Sequence, residues 1–175
     1  MTPMNGFVLA GFDPVRSVFE EVVNDLRGAG AGVAAWYDGE WAVDLYGGWA
    51  DASRTRAWDH RSIVHTYSVT KPFVAMRALV LVERGDLDLD APVQRYWPEF
   101  RAPASVRQVL SHQAGVVALD DPVPTDVFYD WDQMCRLLAA QEPAWDPGDA
   151  HGESALFYGH LVGELVRRTD GRSPG

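Results

Sequence analysis

The amino-acid sequence predicts a mixed α/β (α+β) fold, in which an antiparallel sheet flanked by helices is joined to a helical subdomain. The sheet is indicated by the dipeptide Asp38-Gly39, which favours a tight hairpin turn and lies between two apolar segments. The helical part is indicated by apolar residues at helical spacing through most of the chain after residue 68. With 175 residues and 47% apolar residues, the chain can bury a core, and we treat residues 1–175 as one domain or a large piece of one.

The first helix and the hairpin make up the predicted sheet region. Asp13-Pro14 is a typical helix start, and the apolar residues that follow predict a helix that ends at Gly28 and packs on a sheet. Residues 33–37 and 41–46, on either side of the turn, are predicted to be antiparallel strands. Because two strands alone make a weak sheet, we expect the C-terminal strands of the sheet to be missing from this chain.

The remaining elements are predicted to be helical. Ser68 begins a helix that ends near Arg84, with Gly85 as its C-terminal cap. The other predicted elements are a short helical turn at 94–100 with its aromatic residues folded inward, and helices at 105–112, 125–139 and 155–170. Loops rich in proline, glycine and aspartate separate these elements.

Composition and charge exclude several classes of partner. The formal net charge is −10 and no basic stripe interrupts it, which argues against nucleic acid and anionic membranes.

The single cysteine, Cys135, cannot form an internal disulfide and is predicted to be a small buried residue. Because the chain lacks a secretion signal and a membrane span, we predict a cytoplasmic protein. The histidines lack metal-ligand spacing, so no metal or cofactor is expected.

Ser68 and Lys71 are the candidate catalytic residues. Three positions apart at the predicted start of a helix, their side chains share one face and can come within hydrogen-bond reach. A serine hydroxyl needs a neighbouring base to become a good nucleophile, and a neutral lysine amine can be that base. The positive potential of a helix N-terminus disfavours the ammonium form. The motif S-x-x-K is short and arises by chance in many proteins. The alternative is therefore that Ser68 is an ordinary first-turn serine and Lys71 a solvated lysine.

Further motifs carry a family resemblance. They are Asp38-Gly39-Glu40, Val43-Asp44-Leu45 with Gly47-Gly48 and Asp51, Ser68-Val69-Thr70-Lys71, residues 81–85, 87–93, 96–100 and 106–112, Ala114-Gly115, Pro147-Gly148, and residues 163–168. In order and spacing they resemble the serine hydrolases related to class C β-lactamases, D-alanyl-D-alanine peptidases and β-lactamase-like carboxylesterases. The resemblance spans nearly the whole chain and implies a β-lactamase/transpeptidase-like fold.

The resemblance implies an acyl-enzyme mechanism on a small-molecule ester or amide. Ser68 would attack the carbonyl carbon, Lys71 would take the hydroxyl proton, and the backbone N–H of Ser68 would form half of the oxyanion hole. Water would then release the acid. The resemblance also implies that His112 lies in a loop that supports the active site and does not itself take part in catalysis. Tyr67, Trp97, Trp131 and Tyr158 are predicted to line the substrate pocket.

The family's third catalytic group departs from the usual pattern. A tyrosine is expected shortly after the Pro147-Gly148 turn, and this sequence has Glu153 there, or Ser154 if the alignment slips by one. Glu153 is the candidate for the third catalytic residue, either as a carboxylate base or as a group that holds Lys71 protonated. Tyr158, about one helical turn onward, is a weaker substitute.

The resemblance therefore predicts a serine hydrolase, with a carboxylesterase favoured over a β-lactamase because a cytoplasmic enzyme is separated from the cell wall. The alternative is a catalytically inactive fragment or binding module that retains the β-lactamase-like fold. The family's late strand, which carries a Lys- or His-Thr-Gly type motif and the second oxyanion donor, has no counterpart within residues 1–175. We therefore expect the chain by itself to have little or no hydrolase activity.

Overall fold

The computed structural model describes residues 2–26 and 29–173. The chain divides into two compact units, Met1–His65 and Thr66–Gly175, and each has its own cluster of buried apolar residues. The first unit contains strands and one helix, whereas the second contains helices and turns. This division agrees with the predicted sheet region followed by a helical region.

The first unit is a three-stranded antiparallel sheet with one helix. Its strands are β1 (Met4–Val8), β2 (Gly30–Tyr37) and β3 (Glu40–Gly48), and β3 lies between the other two. Its helix, α1, covers Asp13–Asp25 and has Pro14 in its first turn. A first-turn proline costs no hydrogen bond, because the first N–H groups of a helix have no partner within it.

The hairpin between β2 and β3 turns at Asp38 and Gly39. Both residues have positive φ angles, +47° and +86°, as the tight turns of two-residue hairpins require. The predicted hairpin is therefore confirmed. Leu45 of β3 is buried with Phe19 and Val23 of α1 in the core of this unit, which confirms that the first helix packs on the sheet.

The sequence does not predict β1, which pairs with β3 from Met4 opposite Gly47 to Val8 opposite Val43. The three central residues of β1 are exposed, so the strand shows little of the apolar alternation that marks a strand in a sequence. The predicted end of the first helix at Gly28 lies outside the described residues.

The second unit is helical. Its α-helices are α2 (Lys71–Glu83), α3 (Val106–Leu110), α4 (Trp131–Ala140) and α5 (Tyr158–Asp170), and its 3₁₀ turns are Tyr67–Thr70, Val93–Arg95 and Thr125–Tyr129. Leu81, Met134 and Leu165 lie in one core, together with Trp97 and Phe100, which fold inward as predicted.

Cys135 is buried in α4, as the sequence predicts. Burial, reinforced by the nearby carboxylate of Glu164, raises the pKa of its thiol to about 12. Because the thiolate is the reactive form of cysteine, this residue is a packing residue with an inert thiol.

The starting points of two helices, α3 and α4, are determined by hydrogen bonds from capping side chains. The side chain of Ser105 accepts a bond from the backbone N–H of Gln108, and the Gln108 side chain accepts one in return from the backbone of Ser105. This capping box confirms the predicted start of α3. The prediction of one helix from Thr125 through Ala139 is wrong, because the carboxylate of Asp130 accepts a bond from Gln133 and starts a new helix there.

The last helix, α5, starts at Tyr158 and not at Ala155 as predicted. The chain just before it is held outside the helix by Ser154, whose backbone N–H and hydroxyl both lie 3.3 Å from Nδ1 of His112. Gly171 ends the helix in a left-handed conformation with φ +74°, which confirms the predicted terminator.

α2 is apolar on two faces. It buries Ala78 and Leu81 in the helical core, while Phe73, Met76 and Leu79 are 63%, 50% and 49% exposed. We call these three exposed residues the α2 outer face. No helix between residues 2–26 or 29–173 combines the length and the hydropathy required to cross a bilayer.

Candidate functional site

Ser68 and Lys71 meet at the start of α2. Ser68 lies in the 3₁₀ turn Tyr67–Thr70, which leads directly into α2 at Lys71. Within this turn the hydroxyl of Thr70 donates a hydrogen bond of 2.5 Å to the carbonyl oxygen of Tyr67. The turn places Nζ of Lys71 at 2.6 Å from Oγ of Ser68, so the predicted side-chain pair is present.

Glu153 is the second neighbour of the Lys71 amine. Its Oε1 lies 3.2 Å from Nζ of Lys71, and its side chain is 61% exposed while that of Lys71 is 16% exposed. The amine therefore lies between a hydroxyl and a carboxylate. Ser154, the other residue considered for this position, is 3% exposed and contacts His112 instead.

The segment that carries Glu153 is fixed by hydrogen bonds to the chain around α3. Gln108 donates from its side chain to the carbonyl oxygen of Pro147, and the N–H of Gly148 donates to the carbonyl oxygen of Gln113. The N–H of Gly152 donates to the carbonyl oxygen of His112 at 3.0 Å. These bonds position the residue before Glu153, although the carboxylate itself reaches into solvent.

His112 and Tyr158 pack against each other next to the site. Their rings stack at a centroid distance of 4.6 Å, and the Tyr158 hydroxyl donates to the carbonyl oxygen of Leu110. Burial lowers the pKa of His112; the charge of Glu153 opposes this effect and that of Lys71 reinforces it. Burial raises the pKa of Tyr158. Both side chains are therefore uncharged at neutral pH and act as packing groups with fixed hydrogen bonds.

A recess of about 300 Å³ opens beside Ser68 and Lys71. Its other lining residues are Tyr67, Thr70, Val74, Ala155, Leu156, Tyr158 and Gly159. Two of the four predicted pocket residues, Tyr67 and Tyr158, thus lie at this recess. The structure places Trp97 in the core of the helical unit, 1% exposed, and Trp131 at the start of α4, where its indole N–H donates to Glu164.

Sequence reasoning missed several residues that line the recess. Val74 lies three positions after Lys71 and could have been found from helical spacing, because it continues the face that Ser68 begins. Leu156 is 68% exposed and carries no such signal, since it lies in the irregular segment before α5. Its place follows from the bonds that hold Gly152 and Ser154 to His112.

The arrangement suits proton transfer between a hydroxyl and an amine. At 2.6 Å, an ammonium on Lys71 donates to Oγ of Ser68, whereas a neutral amine accepts the hydroxyl proton. Among the described residues, no group of three or more His, Cys, Asp or Glu side chains is arranged to hold a metal ion.

Comparison with known proteins shows the family to which the chain belongs. The family model described as Beta-lactamase matches residues 15–175. The chain is 33% identical over 168 residues to the esterase/β-lactamase LipL of Mycobacterium tuberculosis, and 29% identical over 178 residues to the esterase EstB of Burkholderia gladioli. These alignments cover 92% and 89% of this chain, but only 38% and 45% of the relatives.

A solved structure gives the same result. The crystal structure of a family VIII carboxylesterase is 40% identical and superposes with a TM-score of 0.90, covering 99% of this chain and 48% of that one. The chain thus spans less than half the length of the relatives that it matches. The neighbours have the β-lactamase/transpeptidase-like fold, as the sequence predicts. Because the family model matches residues 15–175, the chain belongs to the Beta-lactamase family.

Proposed function

We propose that this protein is a serine hydrolase that forms an acyl-enzyme on Ser68 with Lys71 as its base. The observation that carries the proposal is the 2.6 Å distance between Nζ of Lys71 and Oγ of Ser68 at the start of α2. The esterase names of two relatives and of one structural neighbour support it. Ester hydrolysis, as a carboxylesterase performs it, is the favoured activity.

The proposed reaction has two halves. In the first, Oγ of Ser68 bonds to the ester carbonyl carbon and its proton passes to the neutral amine of Lys71. The bond from that carbon to the alcohol oxygen then breaks, and the alcohol leaves with the proton. In the second half, water cleaves the acyl–Ser68 ester, which releases the acid and restores the hydroxyl. The backbone N–H of Ser68 would be one donor to the oxyanion.

The recess supplies an apolar wall for a small acyl group. The side chains of Tyr67, Val74 and Leu156 line it next to Ser68. Apolar walls with few polar groups are typical of small-molecule sites, so a small uncharged ester fits the proposal. The cytoplasmic location and the exclusion of nucleic acid and membrane as partners stay predictions from the sequence.

Labelling with a fluorophosphonate tests the proposal, because such a reagent reacts with an activated serine hydroxyl and does not need complete turnover. We expect one label per chain on Ser68, located by peptide mass spectrometry. Ser68→Ala should abolish the label, while Ser53→Ala, which changes an exposed serine in the other unit, should leave it unchanged. Label on another residue, or label that survives Ser68→Ala, would overturn the assignment.

One observation favours a second candidate, a non-catalytic module that retains the fold. The Glu153 carboxylate, 3.2 Å from the Lys71 amine, favours the ammonium, which cannot accept a proton from Ser68. If the chain takes no label at any pH from neutral to alkaline, the module is the better description. Turnover of a p-nitrophenyl ester is a separate question, because we expect little or no turnover by residues 1–175 alone.

A further inference from the structure

A second recess, of about 440 Å³, lies in the helical unit and is lined by residues of α4, of α5 and of the chain at 97–101. It shares no described lining residue with the recess beside Ser68. We call it the arginine recess, because four arginines and three carboxylates line it. The arginines are Arg101, Arg136, Arg167 and Arg168, and the carboxylates are Glu99, Asp132 and Glu164.

The arginine recess carries an excess of positive charge in a chain whose net charge is −10. Its one buried carboxylate, Glu164, is already saturated, because its two oxygens accept hydrogen bonds from Trp131, Arg167 and Arg168. The side chains of the other two carboxylates, Glu99 and Asp132, are 64% and 67% exposed and are therefore screened by water. The carboxylates of the wall thus leave part of the positive charge uncompensated.

Several hydrogen-bond donors of this wall are unused. Arg136 is exposed, and its guanidinium forms no ion pair with any residue in the described ranges 2–26 and 29–173. The paired arginines also keep spare groups, because Nη2 of Arg101, Nη1 of Arg167 and Nη2 of Arg168 donate to no acceptor in the same ranges. A guanidinium presents five N–H donors in a fixed fork that matches the oxygens of phosphate and carboxylate groups. The arginine recess therefore offers donors to an oxyanion.

The remainder of the wall is uncharged. It includes Ala139 and Ala140 at the end of α4, and Cys135, whose pKa of about 12 keeps its thiol protonated. A volume of about 440 Å³ is typical of a small-molecule site and is larger than a single phosphate or carboxylate group needs. The shape and lining of the recess thus fit an anionic group that is attached to a small organic body.

We propose that the arginine recess is a binding site for a small organic anion, whose phosphate or carboxylate group pairs with Arg136. The spare donors of the neighbouring arginines complete the set of contacts, and the organic body lies against Ala139 and Ala140. This site is separate from Ser68 and does not depend on the proposed hydrolase activity. An anion bound there makes the folded helical unit more stable, because it binds the folded chain and not the unfolded one.

Three probes of similar size test the chemistry of the ligand: phenyl phosphate, benzoate and benzamide. We expect isothermal titration calorimetry of the full 175-residue chain, at fixed ionic strength, to show one site for at least one of the two anions. Benzamide, which has the shape of benzoate without its charge, should not bind. The anion with the lower Kd identifies the preferred group as phosphate or carboxylate, and the same anion should raise the Tm.

Arg136→Gln is the test variant, because no ion pair with a described residue is lost and the variant should fold. Removing one charge-assisted donor group should raise the Kd of the anion about tenfold. Arg84→Gln is the matched control. Arg84 is also exposed and without an ion pair to the described residues, but it lies at the end of α2 and does not line the recess. Circular dichroism establishes that both variants are folded.

A third variant, Lys71→Gln, removes the cation of the recess beside Ser68 and should leave the Kd unchanged. Binding of an anion that is weakened by Arg136→Gln alone supports the proposal. Three results would overturn it: no binding of either anion, equal binding of benzamide, or an equal loss of affinity in Arg84→Gln. A loss of affinity in Lys71→Gln without one in Arg136→Gln would assign the anion to the recess beside Ser68 and would also overturn the proposal. None of these outcomes depends on whether Ser68 reacts with an ester.

Discussion

The indole Nε1 of Trp131 donates a hydrogen bond of 2.8 Å to Oε2 of Glu164. The Glu164 side chain is 1% exposed and also receives bonds from the guanidinium groups of Arg167 and Arg168. The first turn of α4 is thereby tied to the middle of α5. Since a buried carboxylate is tolerated only when it is fully paired, these donors act together to hold the helical unit.

Glu164→Gln should lower the free energy of unfolding by about 2 kcal/mol, because an amide leaves two arginines without their buried counter-charge. The loss is smaller than for a fully buried pair, since Arg167 and Arg168 are 41% and 29% exposed. Urea unfolding followed by circular dichroism measures it. Glu99→Gln, which removes an exposed partner of Arg168, should cost less than about 1 kcal/mol. Equal effects of the two changes would contradict the structural role of Glu164.

The same carboxylate predicts an acid-sensitive stability. Burial opposes ionisation, but hydrogen bonds from Arg167, Trp131 and Arg168 outweigh it and lower the pKa of Glu164 from 4.5 to about 2. Because the folded-state pKa is the lower one, the contribution is present above pH 4.5 and is lost as the pH falls toward 2. The urea midpoint should fall with pH across this window, and less steeply in Glu164→Gln. If the urea midpoints of the parent protein and of Glu164→Gln fall equally steeply with pH, this account is refuted.

Gly152→Ala should disturb the site through its backbone. A Cβ at this position would lie 2.3 Å from the ring of Trp145, so the segment before Glu153 must shift. We expect a loss of about 1 to 3 kcal/mol in the free energy of unfolding, measured by urea unfolding, because either the Trp145 ring or the backbone at residue 152 must move. Gly159→Ala is the matched control, because a Cβ there meets no described atom within 4 Å and alanine favours the helix. If Gly152→Ala and Gly159→Ala have the same free energy of unfolding, the close contact with Trp145 does not affect stability.

The charge of the substrate should matter at the recess. The Glu153 side chain is 61% exposed whereas that of its partner Lys71 is 16% exposed, so the carboxylate is the charge that an approaching reagent meets first. It should therefore disfavour reagents that carry a carboxylate near the reacting carbon. Two unit charges about 4 Å apart in water interact by about 1 kcal/mol, which corresponds to a difference of about fivefold in the reaction rate. Phosphonylation of Ser68 should therefore be faster with a trimethylammonium-bearing fluorophosphonate than with a carboxylate-bearing one. The preference should shrink in Glu153→Gln and at high salt; a constant preference would rule out an electrostatic origin.

The parts of this molecule that could be predicted from the sequence depend on near neighbours in the chain. The turn at Asp38-Gly39 needs only two residues with positive φ, and the cap at Ser105 needs only Gln108 three positions later. Ser68 and Lys71 are brought together by one helical turn. In each case the residues that interact are fewer than five positions apart, so local geometry decides the outcome.

The parts that could not be predicted depend on distant residues. β1 exists because β3, about forty residues later, offers it a pairing edge, and its own exposed residues give no signal. Helical spacing places Trp131 on an apolar stripe, but its bond to Glu164 spans 33 positions. Glu153 was a candidate only through the family resemblance: it comes near Lys71 because bonds to His112 and Gln113 fix its segment, and nothing in the local sequence records those bonds.

The α2 outer face affects how experiments on this chain are interpreted. Phe73, Met76 and Leu79 present apolar surface to water from a regular helix whose other side is well packed. Hydrophobic dyes such as ANS bind surfaces of this kind. Bright dye fluorescence, often taken as the mark of a molten state, would here be compatible with a fully ordered chain, and near-ultraviolet circular dichroism would be needed to tell the two apart.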